Sequence, residues 1–249
     1  MGAESYCLEC GGLMIKYSFL HPETHSFFKE YLTLSNGAAD METQITPEYM
    51  QENRWLVDEK EQCLPFIEFQ CLMLATGNAL LTHHRALFHG VAILWRGKAW
   101  ILTAPSGTGK TTQLRHWLRL QRKEIQVING DKPLLECRKD GSVWVHSSPW
   151  KGKEGIGRKG LSASLGGIIL LEQGKENQIH RMDLSEAVIP LFTEFVSYPE
   201  NPDQIREQAG ILRQMLEFAP VWKLINLGDE ESARMTLNAL ADWMEETDE

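Results

Sequence analysis

Ala104-Pro105-Ser106-Gly107-Thr108-Gly109-Lys110-Thr111-Thr112 is the stretch that decides the fold of this 249-residue chain. Its spacing is that of a phosphate-binding loop, with alanine where the usual pattern has its first glycine. An apolar run at 99–103 precedes it and a helical pattern at 112–120 follows it, which is the strand, turn and helix order that such a loop requires. The sequence therefore predicts a nucleotide site, with a chance match in a structural turn as the alternative.

Each polar group of this stretch has a physical role in that prediction. Glycine at 107 and 109 lets backbone N–H groups converge on phosphates at the positive end of the helix dipole. Lys110 supplies positive charge to the outer phosphates, and the Thr111 hydroxyl is placed to ligate Mg²⁺. We predict ATP and Mg²⁺ as cofactors, with GTP or pyrophosphate as alternative donors. The predicted nucleotide contacts are Ser106, Gly107, Thr108, Gly109, Lys110, Thr111 and Thr112.

Composition indicates an ordinary enzyme with a substantial core, since 43% of the residues are hydrophobic and 24% are charged. The formal net charge of −9 disfavours broad binding to nucleic acid or to anionic membranes, because both repel an acidic surface. The sequence shows neither an apolar run of membrane-spanning length nor the basic start and apolar centre of a secretion signal. We therefore expect a cytoplasmic protein that binds neither nucleic acid nor membrane.

The five cysteines are scattered along the chain and do not form the pattern of a disulfide framework. Cys7 and Cys10 form a Cys-x-x-Cys pair, which can bind zinc or carry out redox chemistry. A closed zinc site needs two further ligands, and His21 and His25 have a plausible spacing for that role. We favour unligated thiols over this zinc site.

The chain is predicted to consist of an N-terminal β/α lead-in segment (1–83) packed on a nucleotide-binding core (84–249). Strands are predicted at 13–19, 88–96, 99–103, 125–128, 133–138, 142–146, 165–172 and 221–227, and helices from 47, at 65–81, 112–120, 185–197, 203–218 and near the C-terminus. The two strands at 88–96 and 99–103 are joined at Gly97-Lys98 as a hairpin. The continuous apolar run at 165–172 is typical of a strand covered on both faces.

Asp131 ends the sequence Asn129-Gly130-Asp131, directly after the short strand at 125–128. An aspartate at the carboxyl end of a strand near a phosphate-binding loop lies beside the metal and the outer phosphate. Asp131 would then ligate Mg²⁺ or accept the proton of an attacking hydroxyl as general base. The alternative is an ordinary turn aspartate.

Three motifs in order resemble a known kinase core. The sequence Phe88-His89-Gly90-Val91, then the loop at 104–112, then Val127-Ile128-Asn129-Gly130-Asp131 is similar to HPr kinase/phosphorylases and ATP-dependent phosphoenolpyruvate carboxykinases. The resemblance implies an α/β fold with a mixed β-sheet P-loop kinase core and flanking helices. It also implies that His89 is an active-site residue, although a histidine at the start of a strand is often only a structural hydrogen-bond donor.

The chain departs from both families at Lys132, where they have a second acidic residue next to the first. Glu154 is the substitute that we predict, which gives Thr111, Asp131 and Glu154 as metal-binding residues. The same loop carries Lys151, Lys153, Arg158 and Lys159, which either clamp phosphate or substrate or form a solvated basic loop.

Together these features predict a Mg-ATP-dependent phosphotransferase in which Lys110, Asp131 and His89 are catalytic. The expected reaction moves the γ-phosphoryl group of ATP to a serine or threonine of a peptide or small protein. One alternative is a small-molecule kinase on the same core, and another is a catalytically decayed nucleotide-binding module. The resemblance to HPr kinases is also compatible with a homo-oligomer.

Overall fold

The structure is a computed structural model that describes residues 5–33 and 38–248. Residues 1–4 and 34–37 of the predicted lead-in segment, and the last residue of the chain, lie outside the described ranges. The described chain is a mixed α/β protein with two β-sheets, one of four strands and one of nine. The predicted α/β class with a mixed sheet is confirmed.

The strands are β1 (Ser5–Cys10), β2 (Leu13–Ser18), β3 (Leu32–Thr33), β4 (Met41–Gln44), β5 (Arg85–Leu87), β6 (Val91–Trp95), β7 (Lys98–Thr103), β8 (Gln126–Asn129), β9 (Leu134–Cys137), β10 (Val143–His146), β11 (Ser162–Gln173), β12 (Gln178–Arg181) and β13 (Val221–Asn226). The α-helices are α1 (His25–Phe28), α2 (Pro47–Glu52), α3 (Leu64–Leu80), α4 (Lys110–Leu120), α5 (Leu184–Phe192), α6 (Pro202–Phe218) and α7 (Glu230–Asp248). Short 3₁₀ turns cover Pro22–Thr24, Arg54–Leu56, Glu59–Glu61 and Leu81–His83.

The small sheet has the order β3-β1-β2-β4 and packs against α3 through an aromatic core. Tyr17 and Phe28 are fully buried there, with ring centroids 5.1 Å apart. Glu68 of α3 is also fully buried, and its carboxylate accepts hydrogen bonds from the backbone N–H of His21 and from the hydroxyl of Thr24. The buried carboxylate therefore fastens the segment after β2 to α3, since each of its hydrogen bonds offsets part of the cost of burying the charge.

The segment Leu64–His83, which contains α3, is long and apolar enough to cross a membrane by length and composition, and it is the one such segment among the described residues. Of its test window, 67% is buried inside the protein. Cys71 and Leu72 within it are fully buried in the same hydrophobic cluster as the small sheet. Most of the apolar side chains of α3 are thus buried in the protein core.

The large sheet places β11 beside β7 and β13, with all three strands parallel, and places β6 antiparallel between β7 and β8. Ile168 and Ile169 of β11 are fully buried in two different hydrophobic clusters, so both faces of this strand are covered as predicted. β7 and β8 run in the same direction because each is antiparallel to β6. Their carboxyl ends and the beginning of β6 therefore lie at one edge of the sheet.

Three predicted boundaries need correction. The hairpin between β6 and β7 turns at Arg96-Gly97, which have φ of 48° and 75°, and Lys98 is already the first residue of β7. β6 begins at Val91 and not at Phe88, because Phe88 forms an isolated bridge to Phe195 instead. The helix predicted at 185–197 ends at Phe192 for the same reason, since the chain leaves α5 to reach Phe88.

Candidate nucleotide and transfer site

The candidate site lies where the carboxyl ends of β7 and β8 meet the beginning of β6. Val91 at the start of β6 faces Leu102 near the end of β7, and Ala92 faces Asn129 at the end of β8. The loops that follow β7 and β8 and the residues that precede β6 are therefore neighbours. This places the predicted loop at 104–112, Asp131 and His89 at one edge.

The loop after β7 has the backbone shape that the sequence predicts. Gly107 and Gly109 have φ of 81° and 113°, in the left-handed region that favours glycine. Gly109 is the N-cap of α4, which begins at Lys110. The first N–H groups of a helix have no partner within the helix, so this loop presents donors and the positive end of the helix dipole to the adjoining cavity.

Lys110 is held inside this loop. Its ammonium group donates hydrogen bonds to the carbonyl oxygens of Ala104 (2.6 Å) and Pro105 (3.3 Å), and the residue is only 9% exposed. Burial lowers the pKa of Lys110 below the ordinary lysine value, while the nearby carboxylates of Glu194 and Asp131 oppose that change. A partly desolvated cation whose hydrogen-bond partners are neutral carbonyl groups is an electrostatic partner for a polyphosphate.

Asp131 is positioned by the fully buried side chain of Asn129. The Oδ1 atom of Asn129 accepts hydrogen bonds from the backbone N–H of Asp131 (2.9 Å) and of Lys132 (2.8 Å). Its Nδ2 atom donates to the carbonyl oxygen of Ser148 (3.0 Å). This Asx turn, which Asn-Gly-Asp sequences favour, orients the Asp131 carboxylate toward the sheet edge.

His89 lies between two carboxylates. Its Nδ1–H donates a hydrogen bond to Oε2 of Glu194 (2.8 Å), and its Nε2 atom is 3.6 Å from Oδ1 of Asp131. Because a carboxylate accepts the hydrogen bond, Nδ1 carries the proton, which leaves Nε2 directed toward Asp131. The structure thus places His89 against both Asp131 and Glu194, and it places Lys110 in the same cavity lining as His89 and Asp131.

Glu194 is the residue of this cluster that sequence reasoning missed. The sequence predicts a helix through Glu194, whereas the chain leaves α5 after Phe192 and the backbone N–H of His89 donates to the carbonyl oxygen of Glu194 (2.7 Å). The edge-to-face contact between Phe88 and Phe195, with ring centroids 5.4 Å apart, stabilises this crossing. Such a long-range contact leaves no local signal in the sequence around Glu194.

Lys132, which stands at the second acidic position, and Glu154, its predicted substitute, have different surroundings. Lys132, at the departure from the family pattern, reaches back to Asp131, with its Nζ atom 2.9 Å from Oδ2. The Glu154 carboxylate contacts Arg115 (2.7 Å) near the outside of the site. Glu194, and not Glu154, supplies the carboxylate nearest to His89.

A cavity of about 600 Å³ contains the predicted nucleotide residues. It is lined by His89, Val91, Ser106, Gly107, Gly109, Lys110, Thr111, Thr112, Leu114, Gly130, Asp131, Lys132, Lys151, Gly152, Lys153, Glu154 and Ile156. Thr108 is the one predicted nucleotide contact outside this lining; its hydroxyl donates to the carbonyl oxygen of Pro105 (2.8 Å). The volume lies within the range of small-molecule and cofactor pockets.

The loop at 149–155 connects the site to the lead-in segment. A Cβ atom on Gly152, which has φ of 74°, would lie 2.9 Å from Cβ of Asp131, so only glycine lets the loop approach the Asp131 side chain this closely. Lys151 forms an ion pair with Glu30, and Lys153 forms ion pairs with Asp58 (3.4 Å) and Glu61 (3.2 Å). Below this loop lies a second cavity of about 820 Å³, which Asp131 also lines.

The donor set at Asp131 suits Mg²⁺. Thr111 and Asp131 line the same cavity, and a hydroxyl, a carboxylate and substrate phosphates are the oxygen ligands by which Mg²⁺ is usually held. Within residues 5–33 and 38–248, no three His, Cys, Asp or Glu side chains form a group that would hold a metal by themselves. Phosphate oxygens would therefore have to complete the coordination.

The structure does not bring the four candidate ligands of the alternative zinc site, Cys7, Cys10, His21 and His25, into one cluster. Cys7 and Cys10 lie three residues apart in β1, so their side chains point to opposite faces of the strand. The Nδ1 atom of His21 is hydrogen-bonded to Glu68, and that of His25 to the carbonyl oxygen of Pro22. Burial raises the pKa of the Cys10 thiol to about 12, which disfavours the thiolate that zinc requires.

Comparison with known proteins gives structural similarity at a distant level. No family model matches the sequence, and no curated protein matches it. Among solved structures, the chain is similar to the HPr(Ser) kinase/phosphatase from Coxiella burnetii, with a TM-score of 0.28 and 10% sequence identity over 53% of this chain and 91% of that chain. At this level the similarity is too loose to assign residues, so the site rests on the geometry above.

Proposed function

We propose that this protein is a kinase that transfers the γ-phosphoryl group of Mg-ATP to a hydroxyl group of a peptide or small protein. The observation that carries the proposal is the position of Asp131, which lines both the cavity of the glycine-containing loop and the second cavity beside it. A donor bound in the first and an acceptor bound in the second would meet at this carboxylate.

The phosphates of ATP would occupy the loop at 104–111. Its N–H groups and the helix dipole of α4 would bind the phosphate oxygens, and Lys110 would exchange its contacts with Ala104 and Pro105 for the outer phosphates. This rearrangement would pair a partly desolvated cation with an anion. It supplies the positive charge that phosphoryl transfer requires as negative charge moves to the leaving group.

The transfer step would begin with Asp131 as general base. The acceptor oxygen attacks the γ-phosphorus and forms a new P–O bond, while the bond from the γ-phosphorus to the β,γ-bridging oxygen breaks and ADP leaves. The hydroxyl proton passes to the Asp131 carboxylate. His89 then accepts a hydrogen bond from protonated Asp131 at Nε2, because Glu194 keeps the imidazole proton on Nδ1.

Thr111 and Asp131 are the residues that would hold Mg²⁺ in this site. When bound, the ion would neutralise charge on the β- and γ-phosphates. Asp131 would have to release Lys132 to serve both the metal and the acceptor hydroxyl. The 2.9 Å contact between these side chains is therefore expected to open when nucleotide binds.

That same contact favours a second candidate function. If Lys132 stays on Asp131 when nucleotide is bound, the carboxylate is unavailable as a base, and the protein would be a nucleotide-binding module without transferase activity. The two candidates share the nucleotide site. They differ in whether transfer occurs and in whether Asp131 is needed for it.

Incubation with γ-labelled ATP, Mg²⁺ and pools of serine and threonine peptides separates these candidates. We expect the kinase to label peptide, and Asp131→Asn to reduce labelling by about 10²–10⁴-fold while the Kd for ATP measured without Mg²⁺ changes by less than about threefold, a shift of under about 1 kcal/mol. Asp140→Asn is the matched control, because Asp140 is exposed in a distant turn and asparagine can still accept its hydrogen bond from Ser142. Equal labelling by wild type and Asp131→Asn contradicts the proposed base, and ATP binding with no labelling favours the module.

A further inference from the structure

The second cavity beside Asp131 is built from the lead-in segment and the loop at 149–155. We propose, on the basis of the proposed kinase function, that this cavity binds a peptide whose acceptor serine or threonine has an aromatic side chain within about three residues. We call it the acceptor cavity. Its lining includes Phe27, Phe66, Phe69, Trp150, Asp131 and Lys151.

The acceptor cavity adjoins the nucleotide cavity. The residues that line both are Ser106, Asp131, Lys132, Lys151, Gly152 and Lys153. A hydroxyl bound in the acceptor cavity and a nucleotide bound in the other cavity would therefore both lie beside Asp131.

One wall of the acceptor cavity is an aromatic platform made by Phe27, Phe66 and Phe69. Phe27 is 38% exposed, and its ring stacks on Phe69 at 4.9 Å and contacts Phe66 at 5.7 Å. Phe69 is buried and stacks in turn on buried Trp150 at 5.8 Å, so the platform has a rigid base. An exposed ring on a fixed base offers apolar area to an aromatic partner at little entropic cost.

The charges around the acceptor cavity neutralise one another. Lys151 is paired with Glu30, and Lys153 with Asp58 and Glu61. Paired charges leave little net potential for an anionic ligand. This disfavours an already phosphorylated metabolite as acceptor and favours a ligand that binds through apolar side chains and main-chain groups.

The dimensions of the acceptor cavity set the length of the recognised segment. A volume of about 820 Å³ corresponds to a space about 12 Å across, and extended chain covers about 3.3 Å per residue. The cavity therefore spans three to four residues at most. Lys153 and Asp58 at its rim are each 74% exposed, so a longer chain can continue into solvent beyond the recognised part.

The test uses peptide pools in which one serine is fixed and each flanking position is fixed in turn as one amino acid, with γ-labelled ATP as donor. The full-length protein is compared with Phe27→Ala and Trp55→Ala. Trp55 is 67% exposed in the same segment and does not line the acceptor cavity, so its variant is the matched control. Phe27→Leu, which keeps apolar bulk, guards against loss of the fold, and the melting temperature of each variant is measured.

We expect phenylalanine, tyrosine or tryptophan within three residues of serine to raise labelling at least about fivefold over alanine. Phe27→Ala should remove that preference, Phe27→Leu should retain part of it, and Trp55→Ala should leave it unchanged. The KM for ATP should be the same in all four proteins. A preference that survives Phe27→Ala in a folded protein, or labelling of all pools alike, overturns the proposal.

The failure of this inference is distinguishable from failure of the kinase function. If peptides are labelled without an aromatic preference, the kinase function stands and the acceptor inference fails. If wild-type protein binds Mg-ATP and labels a small hydroxyl compound but no peptide pool, the acceptor inference fails and the acceptor class is a metabolite. If Mg-ATP does not bind at all, both proposals fail together.

Discussion

The two cavities that meet at Asp131 are assembled in opposite ways. The nucleotide cavity takes its ligand groups mainly from one contiguous stretch, 104–112, which follows β7 and begins α4. The acceptor cavity combines α1, the beginning of α3 and the loop at 149–155, which are far apart in the chain. The residues proposed to bind the phosphoryl donor are therefore adjacent in the sequence, whereas those proposed to bind the acceptor are brought together by the packing of the lead-in segment.

The same difference predicts that nucleotide binding and phosphoryl transfer can be separated by mutation. Lys110 and the loop amides would bind the phosphates of ATP, whereas His89, Glu194 and Gly152 would position the Asp131 carboxylate. Substitutions on the Asp131 side should change kcat and leave the KM for ATP nearly unchanged. Substitutions in the loop should change nucleotide affinity first.

Among the residues that position Asp131, the largest separation of kcat from the KM for ATP is expected from Glu194→Gln. Loss of the carboxylate that receives Nδ1–H of His89 should lower kcat for transfer by about 10–100-fold, the usual range for a residue that orients an active-site histidine. The KM for ATP should stay within about twofold, since Glu194 is proposed as a positioning residue and does not line the nucleotide cavity. Steady-state kinetics with varied ATP measure both constants.

Glu186→Gln provides the control, because Glu186 is an exposed carboxylate in the first turn of α5. It should behave as wild type. A Glu194→Gln variant that is folded by its melting temperature and retains wild-type kcat would show that His89 needs no such partner. An equal change in kcat and KM for both variants would point to a general effect on the fold.

A smaller effect is expected from Gly152→Ala. The new Cβ atom would lie 2.9 Å from Cβ of Asp131 and would displace the base, so kcat should fall about fivefold. Gly155→Ala is the matched control, because Gly155 also has positive φ, 62°, but nothing lies within 4 Å of its added Cβ atom. Both variants should lose about 1–2 kcal/mol of unfolding free energy.

Comparing these two variants separates the effect of the new contact with Asp131 from the effect of placing a non-glycine residue at positive φ. Denaturant unfolding should show similar losses of stability for both variants, and the kinetic assay should show a loss for Gly152→Ala alone. A comparable loss of kcat in Gly155→Ala would mean that loop strain matters and that the approach to Asp131 does not.

The sequence predicted the parts of the molecule that depend on local chemistry. The Thr46-Pro47 start of α2, the buried strand β11 and the position of Asp131 after β8 follow from capping, apolar runs and turn residues, and the structure has each of them. Within the site, Lys110, His89 and Asp131 lie together as the motif spacing suggested. Their roles remain predictions.

The parts that the sequence could not predict depend on contacts between distant segments. Glu194 reaches His89 because Phe88 pairs with Phe195, which shortens α5 against its own helical pattern. The acceptor cavity depends on α3 and the loop at 149–155 packing through Phe69 and Trp150. No periodicity or turn signal encodes such tertiary contacts, because they override local propensity.

The proposed nucleotide binding and phosphoryl transfer both require that a polyphosphate binds at the loop that begins α4. Isothermal titration of Mg-ATP into wild-type protein, Lys110→Ala and the exposed-lysine control Lys139→Ala tests this. We predict heat of binding for wild type and Lys139→Ala, and an affinity at least about tenfold lower for Lys110→Ala, as loss of a charged hydrogen bond implies. Absence of binding heat in wild type at several temperatures, or equal affinity in Lys110→Ala, would contradict the account.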